Sequence, residues 1–137
     1  MKTYWKAKSV VTENERIFYN IINEALAEDH IILCKVRMED VIHVDFNLRT
    51  KNFSEYQRAR GRMKNRHFDF VICDAQTQEI QRIIELDGWT HKKDSEKEAD
   101  AFKDEACKEA EVTLVRINYQ EMNFPDKVIE KIVKAKI

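Results

Sequence analysis

The sequence predicts an α/β fold in which a mixed sheet is flanked by helices. The runs HFDFVICD (67–74) and IIELDG (83–88) are rich in Val, Ile and Phe, and they have the length and composition of buried strands. The polar stretch between them, DAQTQ, has turn chemistry and predicts a hairpin. Segments with helical spacing of apolar residues lie on either side of this strand pair.

The first helix is expected to begin at Thr12, because Thr12 and Glu15 form the Thr-x-x-Glu pattern of a capping box. Apolar residues then recur at helical spacing, and residues 28–30 mark the end of the helix. The run HIILCKVRM (30–38) predicts a strand of about six residues. The segment MEDVIHV (38–44) fits either a short helix or a continuing extended segment, and both alternatives stay open.

Residues 47–66 are polar and basic, and they are expected to form a mobile loop or a short surface helix. Residues from about 92 to 110 favour a helix. Its expected inner face carries the apolar residues Ala99, Phe102, Ala106, Cys107 and Ala110. The segment VTLVRI (112–117) predicts another strand.

Pro125 is expected to open a last amphipathic helix. Its inward positions are Val128, Ile129, Ile132 and Val133. The predicted order of elements is therefore α, β, β, β, α, β, α. We expect one domain over residues 1–137, preceded by a basic, loosely ordered arm at residues 1–11.

Composition limits the classes of function. The net charge is −1, so nucleic-acid binding would have to come from local basic patches. With 2 glycines and 1 proline, Gly-rich phosphate loops and long flexible linkers are excluded. The 3 cysteines form no CxxC pair, which argues against a zinc site and favours a reducing, cytoplasmic compartment. No signal peptide or membrane span is expected.

Asp69, Glu85 and Asp87 are the strongest candidate site residues. A hairpin centred near Thr77 would place Asp69 almost opposite Glu85, and Asp87 shares the strand face of Glu85. Like charges repel at such distances, so a positive charge is expected on this patch. A divalent cation held by oxygen ligands is the natural occupant, as in metal-dependent phosphodiesterases.

Each acid also has a structural alternative. Charged residues inside apolar strands can form buried ion pairs, and the available partners are Arg66, Arg82 and Arg116. Asp87 precedes Gly88, so it could serve only as a turn residue.

Several segments of the chain together resemble a known family. The segments that carry the resemblance span about residues 9–120. In chain order they are VVTENERIFYNIINEAL, IILCKVRMEDVI, RHFDFVICD, IIELDGWTH and DAFKDEACKEAEVTLVRI. They resemble the domain of unknown function 2726, a group placed in the PD-(D/E)XK nuclease superfamily near the very-short-patch-repair-like endonucleases. The resemblance implies a restriction-endonuclease-like αβββαβ core, which agrees with the order of elements read from the residues.

The resemblance also implies roles for residues. Asp69 and Glu85 would be the first and second motif acids and would bind the metal, with the backbone carbonyl of Leu86 as a further ligand. Asp87 stands where the superfamily's catalytic lysine usually stands, although near relatives also carry Glu-x-Asp. Glu15 matches a helix position that points an acid toward the site in many relatives. Its structural alternative is the capping box alone.

Other residues are candidates for supporting roles. His91 could bind metal, contact phosphate or move a proton, and its alternative is an ordinary loop histidine. Lys103 could supply the charge that Asp87 does not supply, and Asp100 could be an additional acid of the site. Lys103 and Asp100 share a helix face, so a surface salt bridge between them is the alternative.

A basic segment could bind nucleic acid. Its members are Arg58, Arg60, Arg62, Lys64 and Arg66, and they could contact phosphates, with Phe53 and Tyr56 nearby for stacking. A solvated basic loop is the alternative. Trp89 could stack on a base or pack in the core. The acidic residues of the helix at 92–110 are expected to form a solvated face that repels DNA.

The sequence therefore predicts a Mg²⁺- or Mn²⁺-dependent endonuclease-like domain that hydrolyses DNA phosphodiesters. The first alternative is a catalytically weak or inactive nucleic-acid-binding module of the same fold. The second is an interaction protein that dimerises through its last helix. A homodimer or a partner protein could provide specificity. RNA instead of DNA, and the form of the substrate, stay open.

Overall fold

The computed structural model describes residues 3–88 and 92–135. The helices are α1 (Glu13–Leu26), α2 (Phe46–Lys51), α3 (Phe53–Met63), α4 (Asp94–Glu109) and α5 (Pro125–Lys134). The strands are β1 (His30–Arg37), β2 (His67–Asp74), β3 (Ile80–Asp87) and β4 (Leu114–Asn118). Short 3₁₀ helices cover Met38–Asp40 and Tyr119–Asn123. The predicted order of elements is confirmed, with α2 and α3 added between β1 and β2.

The strands form one mixed sheet in the order β1-β2-β3-β4. The pairs β1–β2 and β2–β3 are antiparallel, whereas β3 and β4 are parallel and are joined through α4. Phe70 pairs with Ile84. The next position in that register sets Asp69 against Glu85, as the hairpin prediction required. The predicted α/β class with a mixed sheet and flanking helices is confirmed.

Each face of the sheet buries its own core. On one face, α1 and α5 pack against β2, β3 and β4 through the buried residues Phe18, Ile22, Phe70, Ile72, Ile84, Val115, Ile117, Val128 and Ile132. On the other face, α3 and α4 supply Met63 and Cys107 to a core that also contains Phe68, Val71 and Ile83. Burial of this apolar surface on both sides holds the strands that carry the candidate site.

The capping box at the start of α1 is confirmed. Glu15 N donates to Thr12 Oγ1 at 3.2 Å, and Thr12 N donates to Glu15 Oε1 at 2.8 Å. These bonds satisfy two backbone donors that the first turn of a helix would otherwise leave without partners.

Of the two alternatives for residues 47–66, the mobile loop was wrong and the surface helix was correct, because most of the segment is helical in α2 and α3. Asp45 caps α2 by accepting from Asn47 N at 2.9 Å, and Asn52 caps α3 by accepting from Glu55 N at 3.2 Å. The few apolar residues suffice because α3 buries Tyr56 and Met63 along one side. The open segment after β1 begins as the 3₁₀ helix Met38–Asp40.

Two inward positions were also predicted wrongly. Val133 is 53% exposed, whereas Ile132 is fully buried. Successive helical residues are rotated by about 100°, so the position after a fully buried one leaves the interface. Ala110 is exposed because it caps the C-terminus of α4. In the described part of the chain, no helix is long and apolar enough to cross a membrane.

The neighbouring residues Ile132 and Val133 provide a matched test of how α5 packs. Ile132→Ala should lower the free energy of unfolding by about 2–5 kcal/mol, because it leaves a cavity in the core. Val133→Ala should change it by less than about 0.5 kcal/mol. Urea denaturation of both variants measures this difference, and equal effects would contradict the packing of α5 described here.

Candidate active site

The site lies where β2 and β3 stop pairing through their backbones. The ladder between these strands runs only as far as Phe70 and Ile84. Beyond it, Asp69 N donates to Glu85 Oε2 at 2.9 Å, and Leu86 N donates to Asp69 Oδ2 at 2.9 Å. Each carboxylate therefore accepts a backbone N–H from the opposite strand. These reciprocal bonds fix both carboxylates where the strands separate.

Lysines from two other elements approach this acid pair. Lys103 on α4 contacts Glu85 Oε1, and its Nζ also donates to the His67 carbonyl oxygen at 2.7 Å. Lys35 on β1 lies 3.9 Å from Asp69 Oδ1. The positive charge expected beside the acids is thus supplied, in the described residues, by lysine side chains.

Lys35 interrupts the regular alternation of β1. It has a φ of 53°, in the left-handed region that non-glycine residues rarely occupy. Cys34 packs against the core beneath α1, whereas Val36 packs against the opposite core. The irregularity lies between the pairs Cys34–Phe70 and Val36–Phe68, directly beside Asp69. Backbone strain of this kind is concentrated at functional sites in proteins.

Glu15 serves both the helix and the site. It is 3% exposed, and its Oε2 lies 2.9 Å from Lys35 Nζ while its Oε1 completes the capping box. Burial pushes the pKa of Glu15 upward, but the Thr12 N–H and the Lys35 ammonium outweigh it and lower the pKa. The two interpretations of Glu15 are therefore compatible, since Lys35 links it to Asp69.

The electrostatics of Asp69 are unusual for an aspartate. Burial, followed by the charge and hydrogen bonding of Glu85, raises the pKa of Asp69 to about 7. The Leu86 N–H and Lys35 act in the opposite direction and only partly offset this rise. The pair therefore favours added positive charge close to Asp69.

Asp87 lies in a second charged cluster beside the pair. Asp87 Oδ1 is 2.9 Å from Lys92 Nζ and 3.4 Å from the Arg116 guanidinium. Lys92 also contacts Asp100, and Arg116 extends to Asp100 at 3.5 Å and to Asp104 at 2.9 Å. The cluster ties the end of β3 to α4 and β4.

A cavity of about 300 Å³ unites both clusters. Its lining includes Asp69, Glu85, Asp87, Lys103 and Arg116. Tyr119 stands at its edge, because a Cβ on Gly88 would lie 3.8 Å from the Tyr119 ring. Burial and then the charges of Asp69 and Glu15 raise the pKa of the Tyr119 hydroxyl.

The structure places the remaining sequence candidates as follows. Lys103 and Asp100 do not pair with each other, because Lys103 binds Glu85 while Asp100 binds Lys92 and Arg116. Of the arginines offered as ion-pair partners, Arg116 lies in the site and pairs with Asp87, whereas Arg66 stacks on the Phe102 ring and buried Arg82 donates to the Val133 carbonyl at 3.4 Å. His91 and Trp89 lie outside the described residues. The acidic residues of α4 are exposed, as expected, except Asp100, which is half-buried beside Lys92 and Arg116.

The basic residues of α3 do not form one row. Arg60 Nε lies 3.3 Å from Glu39. Arg62 and Arg66 both stack on the Phe102 ring, with guanidinium-to-centroid distances of 4.3 and 5.1 Å. Alternate residues on a helix point in directions about 200° apart, so basic residues that are regularly spaced in the sequence point to different sides of the helix. Phe53 and Tyr56 stack on each other at 6.4 Å between ring centroids.

The sequence interpretation missed Lys35, Lys92 and Tyr119, and it named Arg116 only as an ion-pair partner and not as a residue that lines the site. Lys35 lies beside Asp69 because of the β1–β2 register. This register could not be predicted from the sequence, because α2 and α3 separate the two strands along the chain. For Arg116 a signal did exist, since a charge inside an apolar strand that is parallel to β3 should lie beside Glu85.

Among residues 3–88 and 92–135, no three Asp, Glu, His or Cys side chains form a group that could hold a metal ion. The reason is visible at Asp87, whose carboxylate is directed to Lys92 and Arg116. Asp69 and Glu85 remain as a pair of carboxylates whose oxygens suit a divalent cation, and the pKa of Asp69 is raised to about 7.

The structure gives the class of protein, and the comparisons with known proteins give the family. The class is an α/β fold with a carboxylate pair where two central strands separate. The family model described as "Protein of unknown function (DUF2726)" matches residues 7–136, and the chain belongs to this family. The match confirms the family resemblance drawn from the sequence motifs. Neither a curated protein nor a solved structure matches the chain.

The raised pKa of Asp69 predicts how stability depends on pH. The native carboxyl holds its proton up to about pH 7, whereas an unfolded aspartate loses it near pH 4. The free energy of unfolding should therefore fall as pH rises between these values, by at most about 1.4 kcal/mol per pH unit from this group. Asp69→Asn should remove the decline. Urea titrations in EDTA at pH 5, 6 and 7 measure it, and identical profiles would contradict the assignment.

Proposed function

We propose that this protein is a metal-dependent endonuclease that hydrolyses DNA phosphodiester bonds. The observation that carries the proposal is the reciprocal bonding of Asp69 and Glu85 at the point where β2 and β3 separate. This geometry holds two carboxylates rigidly at an open cavity, next to Lys103. The resemblance of the motif segments to PD-(D/E)XK nucleases supports the same assignment.

The acid pair fits a divalent cation with oxygen ligands, such as Mg²⁺ or Mn²⁺. Lys35 Nζ, 3.9 Å from Asp69 Oδ1, is the cation nearest to that oxygen in the described part of the chain. Asp69 and Glu85 would hold the ion through their carboxylate oxygens, with the Leu86 carbonyl as a further ligand. When bound, the cation supplies Lewis acidity, which activates water and neutralises the phosphate.

The acid pair and the residues around it have separate roles in the proposed reaction. Asp69 and Glu85 would hold the cation at a fixed position, and through it they would orient the scissile phosphate and the water. Lys103 places a positive charge beside Glu85, where it stabilises the negative charge that develops on the phosphate. It takes the role that the superfamily's motif lysine has, because Asp87 occupies that motif position. Asp87 acts as a third ligand only when it leaves Lys92 and Arg116.

A specific observation favours the second candidate function, a nucleic-acid-binding module without cleavage. Every acid of the site already has a cationic neighbour: Lys35 for Asp69, Lys103 for Glu85, and Lys92 with Arg116 for Asp87. A site neutralised in this way is stable without metal. This module would bind nucleic acid equally well in EDTA and would cleave none.

Asp69→Asn and Glu85→Gln should each reduce metal-dependent nicking of supercoiled plasmid by at least ~100-fold, because each removes a charge worth several kcal/mol at the metal. Glu109→Gln is the matched control, since Glu109 is exposed on α4 and should leave the rate unchanged. Plasmid assays with Mg²⁺, Mn²⁺ or EDTA measure the effect. Full activity in both site variants would rule out the nuclease assignment.

Lys103→Met should lower the rate of cleavage by about 100-fold while DNA affinity changes little, since Lys103 acts on charge that develops during reaction. Lys103→Arg should recover part of the loss because it retains the positive charge. Single-turnover cleavage at saturating enzyme separates the chemical step from binding. A loss confined to affinity would show that Lys103 only binds substrate.

A further inference from the structure

A second cavity, of about 640 Å³, opens beside the candidate active site. It is lined by Arg37, Glu39, Arg60 and residues 63–67. These come from the end of β1, the 3₁₀ helix after it, the last turn of α3 and the start of β2. We call this cavity the basic pocket.

The charge of the basic pocket is strongly positive. Lys64, Arg66, Arg37 and Arg60 line it, and Glu39 is the one acidic residue among its described lining. Arg37 is paired with Asp40 and Arg60 with Glu39. Within the described residues, no carboxylate lies at ion-pair distance from Lys64 or Arg66, so their charges are available to an anion.

Local structure orients these groups. Asn65 has a φ of 62°, and this left-handed residue turns the chain sharply from α3 into β2. Arg66 is fixed by Phe102, over which its guanidinium stacks, and by the Arg62 carbonyl, to which its Nε donates at 2.5 Å. A preorganised guanidinium loses less conformational entropy when it binds an anion than a free one does.

The basic pocket is connected to the acid pair by Lys103. Its Nζ donates to the carbonyl of His67, which lines the pocket, and also contacts Glu85. His67 lies two residues from Asp69 on β2, a separation of roughly 6.6 Å along a strand. A chain of phosphates passing the acid pair would therefore reach the pocket within a short distance.

We propose that the basic pocket binds a backbone phosphate of the nucleic-acid strand, adjacent to the phosphodiester at Asp69 and Glu85. The inference rests on the proposed function for the identity of the polymer. Lys64 and Arg66 are the groups that contact the phosphate. Planar guanidinium groups match the oxygens of phosphate. Because phosphates repeat along a nucleic-acid strand, one phosphate can lie in the basic pocket while its neighbour lies at the proposed metal site.

The test is binding of 5′-fluorescein-labelled single-stranded and duplex DNA in EDTA, followed by anisotropy over a range of salt concentrations. Lys64→Gln/Arg66→Gln should weaken binding by about tenfold at low salt and reduce the slope of log K against log salt by about 1 for each residue. Lys127→Gln/Lys134→Gln is the matched control, because it removes the same charge from α5 on the other face of the sheet.

Folding and charge are controlled separately. Lys64→Gln alone alters an exposed side chain that is not part of the core, so its effect on binding stands even if the double variant unfolds. Lys64→Arg/Arg66→Lys keeps both charges and should restore most of the affinity. Polyglutamate and inorganic phosphate are added as competitors, and we expect both to compete far more weakly than unlabelled DNA.

The outcomes separate this inference from the nuclease proposal. DNA binding that depends on Lys64 and Arg66 in a protein that cleaves nothing would support the pocket and overturn the nuclease assignment. Equal losses in the pocket and α5 variants, or no DNA binding by the unaltered protein, would overturn the pocket. Competition by polyglutamate as strong as that by DNA would also overturn it and point to an acidic polypeptide.

Discussion

The structure depends on the way in which the half-buried carboxylate of Asp69 and the buried carboxylate of Glu85 replace a backbone ladder. Where β2 and β3 separate, Glu85 accepts the N–H of Asp69 and Asp69 accepts the N–H of Leu86, which the opposite backbone no longer satisfies. An unpaired buried N–H costs about as much as a lost hydrogen bond, so removal of either side chain would expose that cost. Burial, together with the like charge of Glu85 that the same contacts bring close, raises the pKa of Asp69. Lys35 and Lys103 then have to come from β1 and α4 to compensate.

This constraint explains several irregularities together. Lys35 adopts a left-handed backbone conformation beside Asp69. Directly on one side of this position β1 and β2 pack against the core beneath α1, and directly on the other side they pack against the opposite core. Glu15 is buried at the start of α1 because Lys35 pairs with it, so a helix cap becomes part of the charge network. The core on each face holds these elements in place, and the strain remains local to the site.

The sequence predicted the parts of this arrangement that depend on local pattern. The strands, the hairpin register and the start of α1 follow from apolar runs, turn residues and a capping box, which act over a few residues. For the basic segment the surface-helix alternative was the correct one, because helix caps at Asp45 and Asn52 outweighed its low apolar content. Lys35 and Lys92 could not be predicted as partners of the acids, because their contacts depend on tertiary placement and not on spacing. Arg116 was offered as an ion-pair partner of the acids, and on the strand parallel to β3 it pairs with Asp87.

The departure at Asp87 follows from the same network. In a site with a lysine two residues after Glu85, one side chain would provide the positive charge from the strand itself. Here an aspartate at that position is neutralised by Lys92 and Arg116, and the charge beside Glu85 comes from Lys103 on α4. A lysine on a helix can approach Glu85 from outside the sheet and still bond the His67 carbonyl, so it links the acid pair to the basic pocket. The positive charge beside Glu85 is thus supplied from the helix instead of the strand, and the electrostatic balance at Glu85 is kept.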